Sequence, residues 1–139
     1  MSLHYTNKMT GKEYNDMRVS VGWRPITDEQ AMRGIAHTTF LVAARDDDRI
    51  VAMGRMLFDF GYTAYLGDVI VRPEYQGMGI GRKIVEMLIN KTMESAHEEE
   101  RIMFILGAAK DKEEFYEKIG FKRRPNEDSG AGMTMWRKK

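Results

Sequence analysis

The chain has 139 residues, a length typical of one domain that is large enough to bury an apolar core. Its composition, 42% hydrophobic and 31% charged, is ordinary for a globular protein. The formal net charge of +1 gives no general attraction to nucleic acid or to an anionic membrane, so we expect neither partner.

Several kinds of site are excluded by composition alone. The absence of cysteine excludes disulfides, thiolate metal sites and a cysteine nucleophile. His37 and His97 lack the spacing of metal ligands, so we expect no metal. No apolar run approaches the roughly 18 residues of a membrane span, and the first residues carry no signal-peptide core. We therefore expect a cytoplasmic protein. Its oligomeric state, monomer or homodimer, is left open.

The first forty residues predict one strand and two helices, at residues 3–6, 10–20 and 27–37. Thr27, with Gln30 three residues later, is a capping-box arrangement that marks the start of the second helix. The loop between the helices contains Trp23 and Arg24. These two residues would either pin the helices together or border a binding pocket.

The middle of the chain predicts an antiparallel meander of three strands, at residues 40–44, 50–60 and 63–71. The charged stretch Arg45–Arg49 is interpreted as a solvated hairpin tip, and Gly61 turns the chain between the second strand and the third.

A long amphipathic helix at residues 79–96 is predicted by apolar residues that recur at helical spacing: Ile80, Ile84, Val85, Leu88 and Ile89. Residues 102–106 are all apolar, which predicts a buried central strand. It should run parallel to strand 63–71, because a strand–helix–strand crossover is right-handed. A short helix at 113–119 and a final strand at 132–136 complete one expected domain, residues 1–139.

The organising stretch of the chain is Val69-Ile-Val-Arg-Pro-Glu-Tyr-Gln-Gly-Met-Gly-Ile-Gly-Arg82. Glycines at alternate positions allow φ > 0 and let a ligand approach the backbone closely. The first turn of the following helix then offers unpaired N–H groups and partial positive charge, which suit a phosphate. A tight strand-to-helix connection would use the same glycines, so the pattern alone leaves both interpretations open.

Two other phosphate loops can be excluded. A P-loop needs Gly-Lys-Ser/Thr, but Gly81 is followed by Arg82 and Lys83 without a hydroxyl residue. A dinucleotide fingerprint needs G-x-G-x-x-G and an acidic residue at the end of the next strand. The spacing here is G-x-G-x-G, and the next predicted strand ends without an acid.

Two motifs resemble those of the GNAT N-acetyltransferase superfamily. Gln76-Gly-Met-Gly79-Ile-Gly81, preceded by Val71-Arg-Pro73, fits the family's acetyl-coenzyme A loop, Gln/Arg-x-x-Gly-x-Gly/Ala. Phe115-Tyr-Glu-Lys-Ile-Gly-Phe121 is similar to the family's Phe-Tyr-x-Lys-x-Gly-Phe. The resemblance covers nearly the whole chain. It implies an α/β (α+β) fold, with a mixed, mostly antiparallel sheet that has a central parallel strand pair and is flanked by helices.

The resemblance also implies a function: acetyl transfer from acetyl-CoA, the co-substrate, to a small-molecule primary amine by direct attack. The pyrophosphate would lie on the loop formed by Gln76, Gly77, Met78, Gly79, Ile80, Gly81 and Arg82. The pantetheine arm would pair with the backbone of Val69, Ile70 and Val71, and Tyr116 would protonate the leaving thiolate. The alternatives are a protein N-terminal or lysine acetyltransferase and a non-catalytic acyl-CoA-binding module.

The general base is left open. Family members with a base on this strand often have it six residues before the Val of Val-x-Pro, which is Tyr65 here. Asp68 is the only acid within the strand. It could act as a base, directly or through a water molecule, as a substrate anchor or as a structural hydrogen-bonding residue. Strand alternation puts Asp68 on the opposite face from Tyr65 unless a bulge intervenes. The resemblance further implies that Trp23 forms a wall of the acceptor pocket and that Arg24 anchors an anion there.

Overall fold

A five-stranded sheet organises the first of the two units into which the chain divides, Met1–Leu106 and Gly107–Lys139; the computed structural model describes residues 1–139. The strands lie in the order of the chain: β1 (Leu3–Thr6), β2 (Phe40–Asp46), β3 (Arg49–Phe58), β4 (Thr63–Val71) and β5 (Met103–Ile105). Successive strands pair antiparallel, except that β4 and β5 are parallel. The predicted fold class is therefore confirmed.

The sheet is flanked by the helices α1 (Gly11–Ser20), α2 (Asp28–Ala36) and α3 (Ile80–Ser95). The Thr27 side chain accepts a hydrogen bond from the Gln30 amide at the start of α2, as predicted. The complete reciprocal capping box lies at α1, between Thr10 and Glu13, where none was predicted. No helix combines the length and the apolar character that a membrane crossing requires.

The two faces of the sheet carry different helices. Tyr14 and Met17 of α1 are buried against one face, in a cluster that includes Met53 of β3. The next residue along β3, Gly54, faces α3, because successive residues of a strand point to opposite faces. A Cβ at Gly54 would lie 2.9 Å from Ile84, so glycine lets α3 approach the sheet closely. The predicted core stripe of α3 is confirmed for four of its residues, and Ile89 is half-buried.

Two sequence predictions about strands differ from the structure. The segment 102–106, expected to be a buried central strand, forms only the three-residue β5, which ends the sheet and leaves Met103 42% exposed. Its parallel pairing with β4 is confirmed. The prediction of a final strand at 132–136 is wrong. No regular structure forms there, and Met133, Met135 and Trp136 are almost fully exposed. Strand-forming residue types therefore do not determine whether a segment is buried or which strand it pairs with.

The charged stretch Arg45–Arg49 is more than a solvated hairpin tip. Only Asp47 and Asp48 form the turn, while Arg45 and Asp46 end β2. The Arg45 guanidinium donates to the Glu13 carboxylate of α1 at 2.7 Å, which ties the helix to the sheet.

The second unit contains one short helix, α4 (Glu113–Glu117). Its end is closed at Gly120, where φ is +122° and the N–H donates to the carbonyls of Tyr116 and Glu117. Arg123 then pairs with Glu117 at 2.8 Å.

Candidate active site

The glycine-rich loop is shaped by backbone conformation. Gly77 and Gly79 have φ values of +80° and +79°, in the left-handed region that costs other residues about 1 kcal/mol or more. A Cβ at either position would meet nothing within 4 Å, so the surrounding space is open. Glycine is therefore used here for its backbone freedom, and the turn presents bare main chain to solvent.

The amides of this loop are unpaired. The backbone N–H groups of residues 77–82 donate to no protein acceptor, and the first bond into the helix runs from the Lys83 amide to the Gly79 carbonyl at 3.1 Å. Six free donors at the positive end of a sixteen-residue helix suit a phosphate or pyrophosphate. We call residues 77–82 the amide cradle.

The side chains in and next to the cradle make contacts of their own. The Gln76 amide donates to the Pro73 carbonyl at 3.2 Å, and its side chain donates to the Val71 carbonyl at 2.9 Å. Gln76 therefore closes the preceding turn. Ile80 contributes only its amide to the cradle, since its side chain is in the core. The Arg82 guanidinium pairs with Glu86 at 2.6 Å and is exposed.

One edge of β4 is open beside the cradle. β5 pairs with β4 only at Thr63–Tyr65, so no strand pairs with the Leu66–Val71 stretch on that side. The backbone of Val69, Ile70 and Val71 thus lies along the unpaired part of this edge. An edge of this kind can accept an extended ligand that carries amide groups.

A β-bulge turns Asp68 toward α1. Met53 is paired with Ile70 and Arg55 with Gly67, so two residues of β4, Asp68 and Val69, lie opposite Gly54 alone. Asp68 has φ +50°, which is unusual for a residue other than glycine. The bulge that would place Asp68 on the same face as Tyr65 is thus present.

Asp68 is the centre of a hydrogen-bonded cluster. Its Oδ2 atom accepts from the Tyr14 hydroxyl at 2.6 Å and from Arg55 Nε at 2.7 Å, while Arg18 Nη1 lies 4.0 Å from Oδ1. Arg18 Nη1 also donates to the Tyr14 hydroxyl at 3.3 Å. Burial, and then the hydrogen bond to Asp68, raises the pKa of Tyr14 above its usual 10.0, so this phenol stays protonated as a donor.

Trp23 and Arg24 are joined to this cluster through Arg18. The Arg18 guanidinium carbon lies 5.7 Å from the Trp23 ring centroid, and Arg18 Nε donates to the Arg24 carbonyl at 2.8 Å. Trp23 is half-buried and packs against the core cluster, and the Arg24 side chain is exposed. Trp23 therefore does hold the loop to the helices, and the pocket-forming interpretation is compatible with that.

Tyr14, Arg18 and Arg55 were not among the predicted site residues. A signal was present for each. Tyr14 and Arg18 are four residues apart and so share one face of α1, and Arg55 is the only charged residue in the interior of the otherwise apolar strand β3. Neither pattern indicates that these three side chains would lie close to Asp68.

Comparison with known proteins identifies the family. The family model for the acetyltransferase (GNAT) domain matches residues 12–137, almost the entire chain. The chain belongs to the GNAT acetyltransferase family. The family resemblance predicted from the two sequence motifs is thereby confirmed.

Relatives of this GNAT chain include an uncharacterised N-acetyltransferase, ycf52, of Pyropia yezoensis. It is 30% identical over 118 residues, which cover 82% of this chain but only 64% of the relative. A probable acetyltransferase of unknown function from meticillin-resistant Staphylococcus aureus has the same fold, with a TM-score of 0.85, 28% identity and coverage of 97% of this chain and 100% of that one. A predicted acetyltransferase from Clostridium acetobutylicum, solved with acetyl-CoA, shares the fold at a TM-score of 0.69 and 20% identity, over 89% of this chain and 92% of that one.

The second motif of this GNAT chain lies in the second unit. Tyr116 is half-buried on α4, and its ring makes edge contacts with Phe115 and Phe121, at centroid distances of 4.9 Å and 5.9 Å. The family's frequent asparagine, seven residues before the tyrosine, is replaced by Ala109. Nowhere in the structure do three or more His, Cys, Asp or Glu side chains form a group suited to a metal ion.

Proposed function

We propose that this chain is an N-acetyltransferase that transfers the acetyl group of acetyl-CoA to a primary amine. The observation that carries the proposal is the amide cradle, six unpaired backbone donors at the N-terminus of α3. Membership of the GNAT family, which uses acetyl-CoA, supports it. We also propose that residues 1–139 act as one functional domain in the cytoplasm.

The cofactor-binding residues fit acetyl-CoA in two ways. The amides of Gly77, Met78, Gly79, Ile80, Gly81 and Arg82 would bind the pyrophosphate, and Gln76 would hold the turn that presents them. The open edge of β4 at Val69–Val71 would pair with the two amides of the pantetheine arm. Bound in this way, acetyl-CoA supplies an activated thioester.

The reaction we propose is a direct attack. The amine nitrogen bonds to the thioester carbonyl carbon, the carbon–sulfur bond breaks, and the thiolate leaves with a proton from Tyr116. The second proton that the nitrogen loses as the amide forms passes through water to restore the Tyr116 hydroxyl. The chain contains no cysteine for an acyl-enzyme, which favours this route. The proton of the acceptor ammonium goes to water, or to Asp68 directly or through water. The contacts of Asp68 favour a structural hydrogen-bonding role over that of a base, since its Oδ2 atom already accepts two hydrogen bonds from the protein.

The acceptor side is proposed to lie beside Trp23 and Arg24, with Trp23 as a wall of the pocket. Arg24 contributes through its carbonyl, which fixes Arg18, and its exposed side chain is available to an anion on the acceptor. No metal is part of the proposed reaction, and the acceptor is expected to be a small molecule.

The proposal is tested by calorimetric binding of acetyl-CoA, followed by thiol release across a panel of amines, amino acids, aminosugars and peptides. Binding together with amine-dependent thiol release and an acetylated product is the expected result. Turnover of peptides alone would indicate a protein acetyltransferase. Tight binding without turnover of any acceptor would indicate an acyl-CoA-binding module, and the absence of binding would contradict the proposal altogether.

A further inference from the structure

Two arginines share one carboxylate on the α1 face of the sheet. Arg55 contacts Asp68 at 2.7 Å and Arg18 approaches it at 4.0 Å, and their side chains are only 22% and 16% exposed. Tyr14, the other partner of Asp68, is uncharged. The cluster of Tyr14, Arg18, Arg55 and Asp68 therefore carries one unbalanced positive charge in a partly buried setting, where charges interact more strongly than in water.

Each guanidinium also has an unused nitrogen. Arg18 donates from Nε and Nη1, and Arg55 from Nε and Nη1, so Nη2 of each has no protein acceptor. No buried side-chain nitrogen in the structure lacks a hydrogen-bond partner, so both Nη2 atoms reach solvent. Spare planar donors with a surplus positive charge suit a carboxylate, which guanidinium groups bind with matching geometry.

The surroundings limit the acceptor further. In the register of β3 and β4, the pair that follows Arg55 and Gly67 on the same face is Leu57 and Tyr65. Leu57 is 41% exposed and Tyr65 44%, so an apolar surface continues from the arginines along the sheet. An acceptor with a carboxylate at one end and an apolar or aromatic body would match both parts.

We propose that the acceptor is a primary amine that carries a carboxylate and an apolar body, such as an aromatic α-amino acid, and that Arg18 and Arg55 bind its carboxylate. The inference rests on the proposed acetyl transfer. In this proposal the carboxylate binds to Arg18 and Arg55 instead of the Arg24 side chain, and Arg24 orients Arg18 through its carbonyl.

The first test compares matched acceptors with and without the carboxylate: phenylalanine with phenethylamine, and tyrosine with tyramine. Each amino acid should have a kcat/KM about tenfold or more above that of its decarboxylated partner, as expected for a hydrogen bond to a charged group. A preference for the decarboxylated amines would overturn the proposal.

The second test uses Arg18→Gln, with Arg33→Gln on α2 as a control, since Arg33 is exposed and its side chain makes no ion pair. Arg18→Gln should raise KM for the amino acid about tenfold or more and change KM for the decarboxylated amine less than about twofold. Arg18→Lys should restore part of the difference, and Arg33→Gln should change neither value. Equal effects of Arg18→Gln on both acceptors would return Arg18 to a structural role, and melting temperatures show whether each variant is folded.

Failure of this inference can be distinguished from failure of acetyl transfer. If no acceptor of the two pairs is turned over, calorimetry with CoA present compares N-acetylphenylalanine with N-acetylphenethylamine. Tighter binding of the acid, lost in Arg18→Gln, would support the carboxylate site even then. Equal binding of the two would overturn it.

Discussion

Tyr116 is the residue for which the chemical and the structural roles predict opposite results. Its ring packs between Phe115 and Phe121, so Tyr116→Phe should keep the packing and change the free energy of unfolding by about 1 kcal/mol or less. If the hydroxyl protonates the leaving thiolate, kcat should fall on the order of 10²-fold or more. Steady-state kinetics with acetyl-CoA and a denaturant titration measure the two quantities.

The control for Tyr116 is a change of leaving group. A more acidic thiol needs less protonation as it leaves, so the gap in kcat between Tyr116→Phe and the wild type should narrow with such a thioester. An unchanged kcat with acetyl-CoA would assign protonation of the thiolate to water.

Substitutions of the single residue Gly79 test the phosphate-binding role of the amide cradle. Its φ of +79° and the open space beside it mean that an added side chain strains the backbone but meets no atom. Gly79→Asn and Gly79→Asp have nearly equal shapes, and asparagine and aspartate tolerate this conformation better than most residues. Gly79→Asp should weaken acetyl-CoA binding more than Gly79→Asn does, because it adds a negative charge beside the pyrophosphate. Equal affinities of the two variants, measured by calorimetry, would contradict the phosphate-binding role.

At the scale of elements, the turn that precedes the cradle is tied to the β2–β3 hairpin. The Tyr75 hydroxyl donates to Asp46 at the end of β2 at 2.6 Å, and the Arg72 side chain donates to the Ile50 carbonyl at 2.8 Å. The hydrogen bond from Tyr75 holds the pKa of Asp46 below its usual range, so the bond is intact at neutral pH. These contacts fix where the cradle begins.

Loss of the hydrogen bond between Tyr75 and Asp46 should weaken the binding of acetyl-CoA and leave acceptor binding unchanged. Tyr75→Phe is expected to raise the dissociation constant of acetyl-CoA about threefold to tenfold, in line with the loss of one hydrogen bond, and to leave KM for the acceptor unchanged. Tyr62→Phe is the matched control, since Tyr62 is 62% exposed in the β3–β4 turn. Unchanged acetyl-CoA affinity in Tyr75→Phe would show that the cradle holds its shape without the tie.

At the scale of the molecule, the sequence predicted the antiparallel meander, the parallel pairing of segment 102–106 with β4, the helices and the glycine-rich turn, because each depends on local periodicity, turn residues and the handedness of crossovers. It did not predict that segment 102–106 would form an edge strand or that 132–136 would remain unpaired, since strand pairing depends on distant parts of the chain. The cluster around Asp68 could not be predicted from the sequence for the same reason. A bulge reverses the side to which Asp68 points, and its partners lie 13 and 54 residues away.

The stability of the chain in acid should depend on Glu13, which joins α1 to β2. Its two carboxylate oxygens accept from Arg45 at 2.7 Å and 3.2 Å, and one of them also accepts from the Thr10 amide. The hydrogen bond from Arg45 is the main cause that lowers the pKa of Glu13 below its usual 4.5. A depressed carboxyl pKa stabilises the fold above the unfolded value, and this stabilisation is lost as the pH falls through the folded value.

We therefore expect wild-type stability to fall from about pH 5 to pH 3, and Glu13→Gln to flatten this fall. At pH 7 the variant should be less stable by about 1–2 kcal/mol, an amount reduced from that of a buried pair because Glu13 is 26% exposed. Urea unfolding at a series of pH values measures both effects. Glu94→Gln, at an exposed glutamate of α3 without an ion pair, should match the wild type throughout. If Glu13→Gln lost stability in parallel with the wild type between pH 5 and pH 3, the acid sensitivity would belong to other carboxylates, and the link between α1 and β2 would contribute little.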